Sequence, residues 1–297
     1  MALTKQAAKF AREHAASCWR AALRLLPPRL HVMADYFRVY RRFPNLEHPS
    51  TFSEKIVARK LFDRDPRLPD MVDKIKVKEI IAAKFGERLV IPTLGVWGSA
   101  EALNFNKPPL SNTPYVLKTN HASGTNLFVK AGDLARPEKL RKKMAAFLCI
   151  DHAAIAREWA YSAVVPKIFA EPYIETPEGY LADYKFHVFS GKVYATEVVM
   201  DRFHNYGVSF YDRSWQPLDV GYLGRYPRYK GLIQIPTRYK DMLTLAEAIG
   251  ADFPYVRVDL YLANNEIKFG EVTFYPGAGH DRFSSPEWDE KFGLLWK

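Results

Sequence analysis

The chain has 297 residues, 48% of them hydrophobic and 14% aromatic, enough to bury two packed units. Its formal charge of +10 gathers at one end: residues 1–50 hold nine Lys/Arg against Glu13, Asp35 and Glu47. No run reaches the roughly 18 apolar residues of a membrane span, no leader-like segment opens the chain, and Cys18 and Cys149 are too few for a disulfide framework or zinc site. The expectation is a soluble, cytoplasmic protein.

In chain order, Lys5, Lys9, Arg12 and Arg20 recur at helical spacing until Pro27 and Pro28 end the run. This basic helix either packs on the protein or meets an anionic partner such as a polyanionic substrate or the inner membrane face. Nucleic acid is not expected, because the basic residues are not interleaved with a recognisable binding motif. Ser53 precedes the apolar-periodic Ile56–Leu61, and residues 70–85 have helical period up to Gly86, which places Asp73 and Lys74 on a helix. LVIPTLGVW reads as a strand; PYVLK, residues 114–118, is another, followed by the small-residue loop NHASGTN and a returning strand LFVKA. Residues 137–159 are helical in composition. Strands follow in KIFAEPYI, GYLADYKFHVF and KVYATEVVM, the last two joined by a Ser190-Gly191 turn. Gly221–Arg238 is a long loop, and a helix over 241–249 stops at Gly250.

The segment VRVDLYLANNEIKFGEVTF, residues 256–274, reads as a β-hairpin with unusual charges. Side chains alternate faces along a strand, so Val256, Val258, Leu260 and Leu262 face a core while Arg257, Asp259 and Tyr261 face away from it. A three-residue loop, Ala263-Asn264-Asn265, pairs Arg257 with Glu271 and makes Asp259 and Glu271 diagonal neighbours on one face. A two-residue Asn264-Asn265 turn sets Glu271 opposite Val258, in the core, where an ionised carboxylate is costly. The three-residue loop is therefore expected. Two carboxylates so placed suit a magnesium ion that also holds substrate phosphates, or else Arg257 and Glu271 form a cross-strand ion pair.

Upstream, Asp73-Lys74, Lys118 before the NHASGTN loop, Glu171-Pro172-Tyr173-Ile174 and the same-face pair Asp183 and Lys185 come in a definite order. The set DK, LGVW, YVLKTNHASGTN, EPYI, DYKFHVFSGK, DRF, RVDLY and FGEVTFYPGAG resembles the ATP-grasp superfamily, in its teichuronopeptide-synthesis (TupA-like) branch, over roughly residues 51–290. The resemblance implies an α+β fold in which two subdomains enclose ATP. Its division would be a basic helical segment (1–50), an N-terminal α/β region (51–110), a small subdomain (111–173) and a large subdomain with the metal site (174–297).

The resemblance further implies that Lys74 and Lys118 bind the α- and β-phosphates and that the loop with Ser123 and Gly124 closes over them. The backbone of Glu171, Tyr173 and Ile174 would hold adenine, and Asp183 the ribose. Asp259 and Glu271 would hold Mg2+, Arg257 would stabilise the transferring phosphoryl group, and Lys185 and Arg202 would contact phosphate or an acceptor carboxylate. Thr273 departs from the Asn that many such ligases carry two residues after the metal-binding Glu, which puts a second magnesium in doubt. The implied reaction is ATP-dependent carboxylate–amine ligation through an acylphosphate, with a carboxylated, anionic glycan of cell-surface polysaccharide synthesis as one substrate. Three other readings stay open: a kinase using the same nucleotide residues, a glycosyltransferase using Asp63-Arg64-Asp65 as a metal-binding pair, and a non-catalytic anion-binding module.

Overall fold

The structure is a computed structural model that describes residues 19, 23–176, 181–200, 206–224 and 226–297. Helix α1 (Pro28–Tyr40) opens on a proline, whose fixed φ suits the first helical position. Helix α2 (Phe52–Phe62) begins one turn earlier than its apolar period suggests, because Thr51 forms a capping box with Glu54. Ser53 instead takes a tertiary partner, donating its N–H and Oγ to the Asp289 carboxylate at 2.8 and 2.6 Å.

The single helix expected over 70–85 is two, α3 (Leu68–Val72) and α4 (Lys76–Phe85). Asp73 leaves helical geometry (φ −71°, ψ 110°), and its Oδ1 accepts from the N–H groups of Ile75 (2.9 Å) and Lys76 (3.3 Å). An aspartate that satisfies free amide groups at a helix start competes with helix continuation. Lys74 therefore lies in the joint between helices and not on a helix face.

Four antiparallel strands form a small sheet in the order β1-β4-β2-β3: β1 (Gly95–Trp97), β2 (Tyr115–Thr119), β3 (Asn126–Val129) and β4 (Ile168–Pro172). Of the expected strand LVIPTLGVW, only the last three residues join it. Helix α5 (Pro137–Leu148) lays Leu140 and Met144 on Leu117, Val129, Ile168 and Ala170. The helical stretch expected to reach 159 breaks after α5 into α6 (His152–Ala156) and a 3-10 turn, Trp159–Ala163.

A larger antiparallel sheet runs β10-β9-β5-β6-β7-β8, from β5 (Asp183–Phe189), β6 (Lys192–Met200), β7 (Gly207–Asp212), β8 (Pro217–Leu218), β9 (Tyr255–Ala263) and β10 (Glu266–Thr273). One face is apolar. Helix α7 (Tyr239–Gly250) covers it with Met242, Ala246 and Ile249 against Phe186, Val188, Val256 and Val258. A Cβ at Gly250 would stand 2.7 Å from Val188, so glycine permits the close approach.

The opposite face is divided. At one end Phe189 and Tyr255 are roofed by Phe52 of α2 and by Phe292 and Trp296, in and just after α8 (Pro286–Leu295). At the other end stand the charged residues of the site.

Candidate active site

The β9–β10 hairpin closes with the two-residue turn Asn264-Asn265, both left-handed (φ 51° and 61°), and Ala263 pairs with Glu266. This corrects the expected three-residue loop. The core burial of Glu271 that argued against such a turn is avoided by a bulge: the register shifts by one at Gly270, so Phe269 faces Leu260 but Glu271 faces Asp259. Glu271 and Asp259 are thus directly opposite rather than diagonal, and Arg257 pairs with Thr273 rather than with Glu271. A Cβ at Gly270 would lie 3.0 Å from the Asp259 carbonyl oxygen and 2.9 Å from the Tyr261 ring.

A charged row then crosses four strands, with Glu271 beside Asp259, Asp259 beside Lys185, and Lys185 beside Glu197. Asp259 is 1% exposed. Arg257 grips it bidentately, Nε to Oδ1 at 2.7 Å and Nη2 to Oδ2 at 2.8 Å, and Lys185 Nζ donates to Oδ2 at 2.5 Å and reaches Asp183 at 2.9 Å. The same Arg257 Nη2 lies 3.4 Å from Glu271 Oε1 and 3.2 Å from Thr273 Oγ1. One cationic atom therefore touches oxygens of Asp259, Glu271 and Thr273, an all-oxygen donor set converging on a point, which fits a hard divalent cation. The Glu271 side chain remains 39% exposed, open to a ligand.

The charges tune one another. Burial works to raise the Glu271 acid, but Lys74, Lys185 and Arg257 outweigh it and hold the carboxyl below its ordinary value. Burial and Arg257 both oppose a charge on Lys185, yet Asp183, Asp259 and Glu271 keep its pKa above normal. Lys74 is lowered, chiefly by burial.

The small sheet supplies the other wall. Glu171 in β4 is 5% exposed and accepts from Lys118 Nζ at 2.5 Å and Lys78 Nζ at 2.6 Å. Burial alone raises its pKa; the two lysines bring it below the ordinary value. Its side chain thus fixes Lys118 and Lys78 in place, a role the sequence reading did not give it. Tyr173 N–H donates to Pro114 O at 3.3 Å, and Ile174 follows outside the sheet.

The NHASGTN loop is tied at several points. Lys74 N–H donates to Asn120 O (3.1 Å) and its Nζ to Ala122 O (2.7 Å), Asn120 Nδ2 donates to Asp73 (3.0 Å), and the hydroxyls of Thr119 and Thr125 meet at 2.6 Å. Ser123 and Gly124 form its exposed tip, Gly124 with φ +73°. Lys74 and Glu271 sense each other's charge, which links this wall to the acids of the large sheet.

Arg202 lies outside the described residues. Asp63 and Asp65 pair with Arg59 (3.3 Å) and Arg67 (2.6 Å), and both accept backbone N–H groups in their turn, so structural partners take up this pair. Sequence reasoning missed Lys78 and Glu197. Glu197, a lone acid among apolar residues of KVYATEVVM, carried the same signal that singled out the hairpin acids.

One antiparallel sheet carries Lys118 ahead of a small-residue loop and the other carries opposed carboxylates gripped by an arginine, and the fold is that of the ATP-grasp proteins. The chain belongs to the TupA-like ATPgrasp family, which it matches over residues 54–297. No curated protein sequence matches it. Similar solved structures include D-alanine–D-alanine ligase from Bacillus anthracis, at 17% identity and TM-score 0.42, covering 69% of this chain and 57% of that one. ATP-grasp ligase PsnB complexed with minimal precursor gives 11% identity, TM-score 0.43 and coverage of 78% and 62%. N5-carboxyaminoimidazole synthetase from Staphylococcus aureus gives 13%, 0.39, and 68% and 44%. The chain spans less than two thirds of the length of each.

Proposed function

We propose that the protein is an ATP-dependent carboxylate–amine ligase. The observation that carries this reading is the convergence of Asp259, Glu271 and Thr273 oxygens on one cationic atom, with Lys74 near enough for its charge to act on Glu271, in a chain of the TupA-like family. Lys74 and Lys118 bind the phosphates of ATP as point charges, and the loop tip donates N–H groups to them. The adenine is held by the backbone at Glu171, Tyr173 and Ile174 and the ribose by Asp183.

Asp259 and Glu271, with Thr273 beside them, would hold Mg2+, which would supply neutralisation of phosphate charge. Arg257 exchanges some of its carboxylate contacts for the transferring phosphoryl group. Lys185 and Arg202 hold phosphate or substrate carboxylate. Positioning and charge neutralisation are what phosphoryl transfer asks of a protein, so no nucleophilic side chain is required.

The substrate carboxylate accepts the γ-phosphoryl group to give an acylphosphate, and an amine then displaces phosphate to leave an amide. A carboxylated glycan of cell-surface polysaccharide synthesis suits the +10 charge, and the basic first 50 residues suit its polyanionic chain or the inner membrane face. Among the described residues no helix is long and apolar enough to cross a membrane. The proposed functional division keeps an N-terminal α/β region over 51–110, a small subdomain over 111–173 and a large one over 174–297 that carries the metal acids, with β1 (Gly95–Trp97) of the small sheet contributed from the first of these.

The test is a screen of uronic acids and uronate oligomers against amino acids and amines, with ATP and magnesium, reading phosphate release and product mass. Amide product supports the ligase; a phosphorylated sugar without amide would replace it with the kinase.

A further inference from the structure

Helix α1 is apolar on the side that faces solvent. Its inner side is fixed: Val32 and Tyr36 pack on Val57 and Ala58 of α2, the Tyr36 hydroxyl meets Ser53 Oγ at 3.0 Å, and the Tyr40 hydroxyl donates to Gly279 O at 3.2 Å. Asp35 lies on this side too, 3.3 Å from His280 Nε2. By helical period the opposite side carries Leu30, Ala34 and Phe37, spaced i, i+4 and i+7. Leu30 is 51% exposed and Phe37 41%. Phe43, 60% exposed, stacks on Phe37 with ring centroids 4.9 Å apart and extends the stripe past the helix end. A surface helix ordinarily turns such a stripe to the core, and the inner contacts prevent α1 from doing so. Contiguous exposed apolar side chains mark a contact surface.

The charges around the stripe are of one sign and one type. Residues 28–43 hold four cations, Arg29, Arg38, Arg41 and Arg42, none of them lysine, against the single acid Asp35, which is turned inward. Arg29 and Arg38 fall on either flank of the stripe, and Arg41 and Arg42 stand at its end beside Phe43. Arg38 pairs with Asp35 and Arg42 with Glu54. Arg29 has only the exposed Glu47 at 3.8 Å, a surface pair that holds it weakly, and the exposed Arg41 meets no carboxylate among the described residues. Guanidinium forks match phosphate oxygens two at a time.

We infer that this face of α1 docks on an anionic phospholipid membrane, with Leu30, Phe37 and Phe43 entering the boundary between headgroups and acyl chains and Arg29 and Arg41 bonding lipid phosphates. Of the two partners open to the basic N-terminal region, this selects the membrane, and it holds with or without the ligase reading. A polyanionic glycan would satisfy the arginines but gives the stripe no apolar phase to enter. A second copy of the chain would cover the stripe, but a two-fold interface sets the same arginines against each other. Docked this way, α1 lies between the lipid and the Gly279–His280 backbone, which follows the acids of β10. That loop then stands one helix diameter, about 10–12 Å, from the membrane surface.

The test is sedimentation of the full-length protein with phosphatidylcholine vesicles, with and without phosphatidylglycerol, in the absence of ATP. Wild type should sediment with the anionic vesicles and not with the neutral ones, and less so as salt rises. Phe37→Ser with Phe43→Ser should weaken binding about tenfold or more, and Arg29→Gln with Arg41→Gln about thirtyfold at low salt. The second pair replaces exposed side chains, so it reports docking even if the first pair unfolds. Lys142→Gln with Lys143→Gln removes equal charge from the exposed side of α5 and should leave binding within about twofold. Equal losses in the α1 and α5 charge pairs would overturn the inference by making the attraction one of net charge alone. Wild-type protein that stays off the anionic vesicles, whether or not it binds soluble polygalacturonate, would overturn it too. A lowered thermal midpoint in Phe37→Ser with Phe43→Ser, with vesicle binding intact, would overturn it and give the stripe to residues 1–22 of the same chain.

Discussion

The large sheet contains two hairpins built on one plan, β5–β6 and β9–β10. Each closes with a two-residue left-handed turn, Ser190-Gly191 in one and Asn264-Asn265 in the other, and each return strand then bulges by one residue. In both, the bulge moves an acid from the apolar face to the charged face. Continuing the pairing set by the turn would place Glu197 opposite Tyr184 and Glu271 opposite Val258; the shifts place them opposite Lys185 and Asp259. The difference lies in what happens to the acid afterwards. Glu197 is sealed, its side chain 7% exposed, with His187 Nε2 at 3.4 Å and the Tyr222 hydroxyl donating at 3.0 Å. Glu271 is left 39% exposed, with one long contact to Arg257 and one to Thr273. The same device therefore makes a structural acid in one hairpin and an open, ligand-ready acid in the other.

Substitutions at the open acid should have the largest effect. Glu271→Gln should lower ATP-dependent turnover by about two orders of magnitude or more, as removal of a transition-state charge stabiliser does, with an unchanged thermal midpoint. Turnover near wild type in the folded variant would remove Glu271 from the metal site. Asp259→Asn should cost as much turnover but also stability, because Arg257 and Lys185 lose a buried counter-charge. Deleting Gly270 attacks the device itself. Without the extra residue Glu271 returns to Val258, so the deletion should abolish turnover and lower the midpoint, whereas Gly270→Ala should do so partially. Lys118→Ala should weaken ATP binding while the fold persists, measured by calorimetric titration; unchanged affinity would contradict its phosphate role.

Glu197→Gln should behave oppositely to Glu271→Gln, losing about 1–3 kcal/mol of stability with a smaller change in turnover, because its partners are fixed protein groups. Chemical unfolding beside steady-state kinetics separates the two hairpins. That contrast also shows what was legible in the sequence. Parity alone identified the face that Asp259 and Arg257 share, since two-residue periodicity is set by the strand itself, whereas Glu271 was brought to that face through the expected loop. The bulge was not legible, because a one-residue register shift leaves no compositional mark beyond a glycine, and the right face was reached through the wrong loop. The helix joint at Asp73 hid inside an uninterrupted helical period, where a tertiary contact to Asn120 and a local cap decide the outcome. Glu171's pairing with Lys78 and Lys118 joins three distant positions that no local pattern connects. Helix α8, which the sequence reading did not propose, carries a start signal, since Ser285 caps it with Pro286 at its first position.

The sealed hairpin also contributes to the acid limb of stability, the smallest effect, through a buried histidine that the open hairpin lacks; the open hairpin adds only the lower limb of Glu271, whose carboxyl is held below its ordinary value. Burial lowers the pKa of His187 from 6.5, so below that pH the unfolded chain binds a proton that the native state resists. Stability should accordingly fall as pH drops from 6.5 toward the native value, by up to about 1.4 kcal/mol per pH unit for one such histidine. Glu197 acts lower. Burial raises its pKa, but the His187 hydrogen bond and the charges of Arg257 and Lys185 bring it down to about 2, so its stabilisation is present above 4.5 and is lost as pH falls from there toward 2. Urea midpoints measured from pH 7.5 to 4 should show the first limb, and His187→Phe should make it shallower without erasing it, because His31 and His121 are also lowered by burial. An unchanged slope in His187→Phe would place the proton uptake elsewhere and break the assignment of this limb to the sealed hairpin.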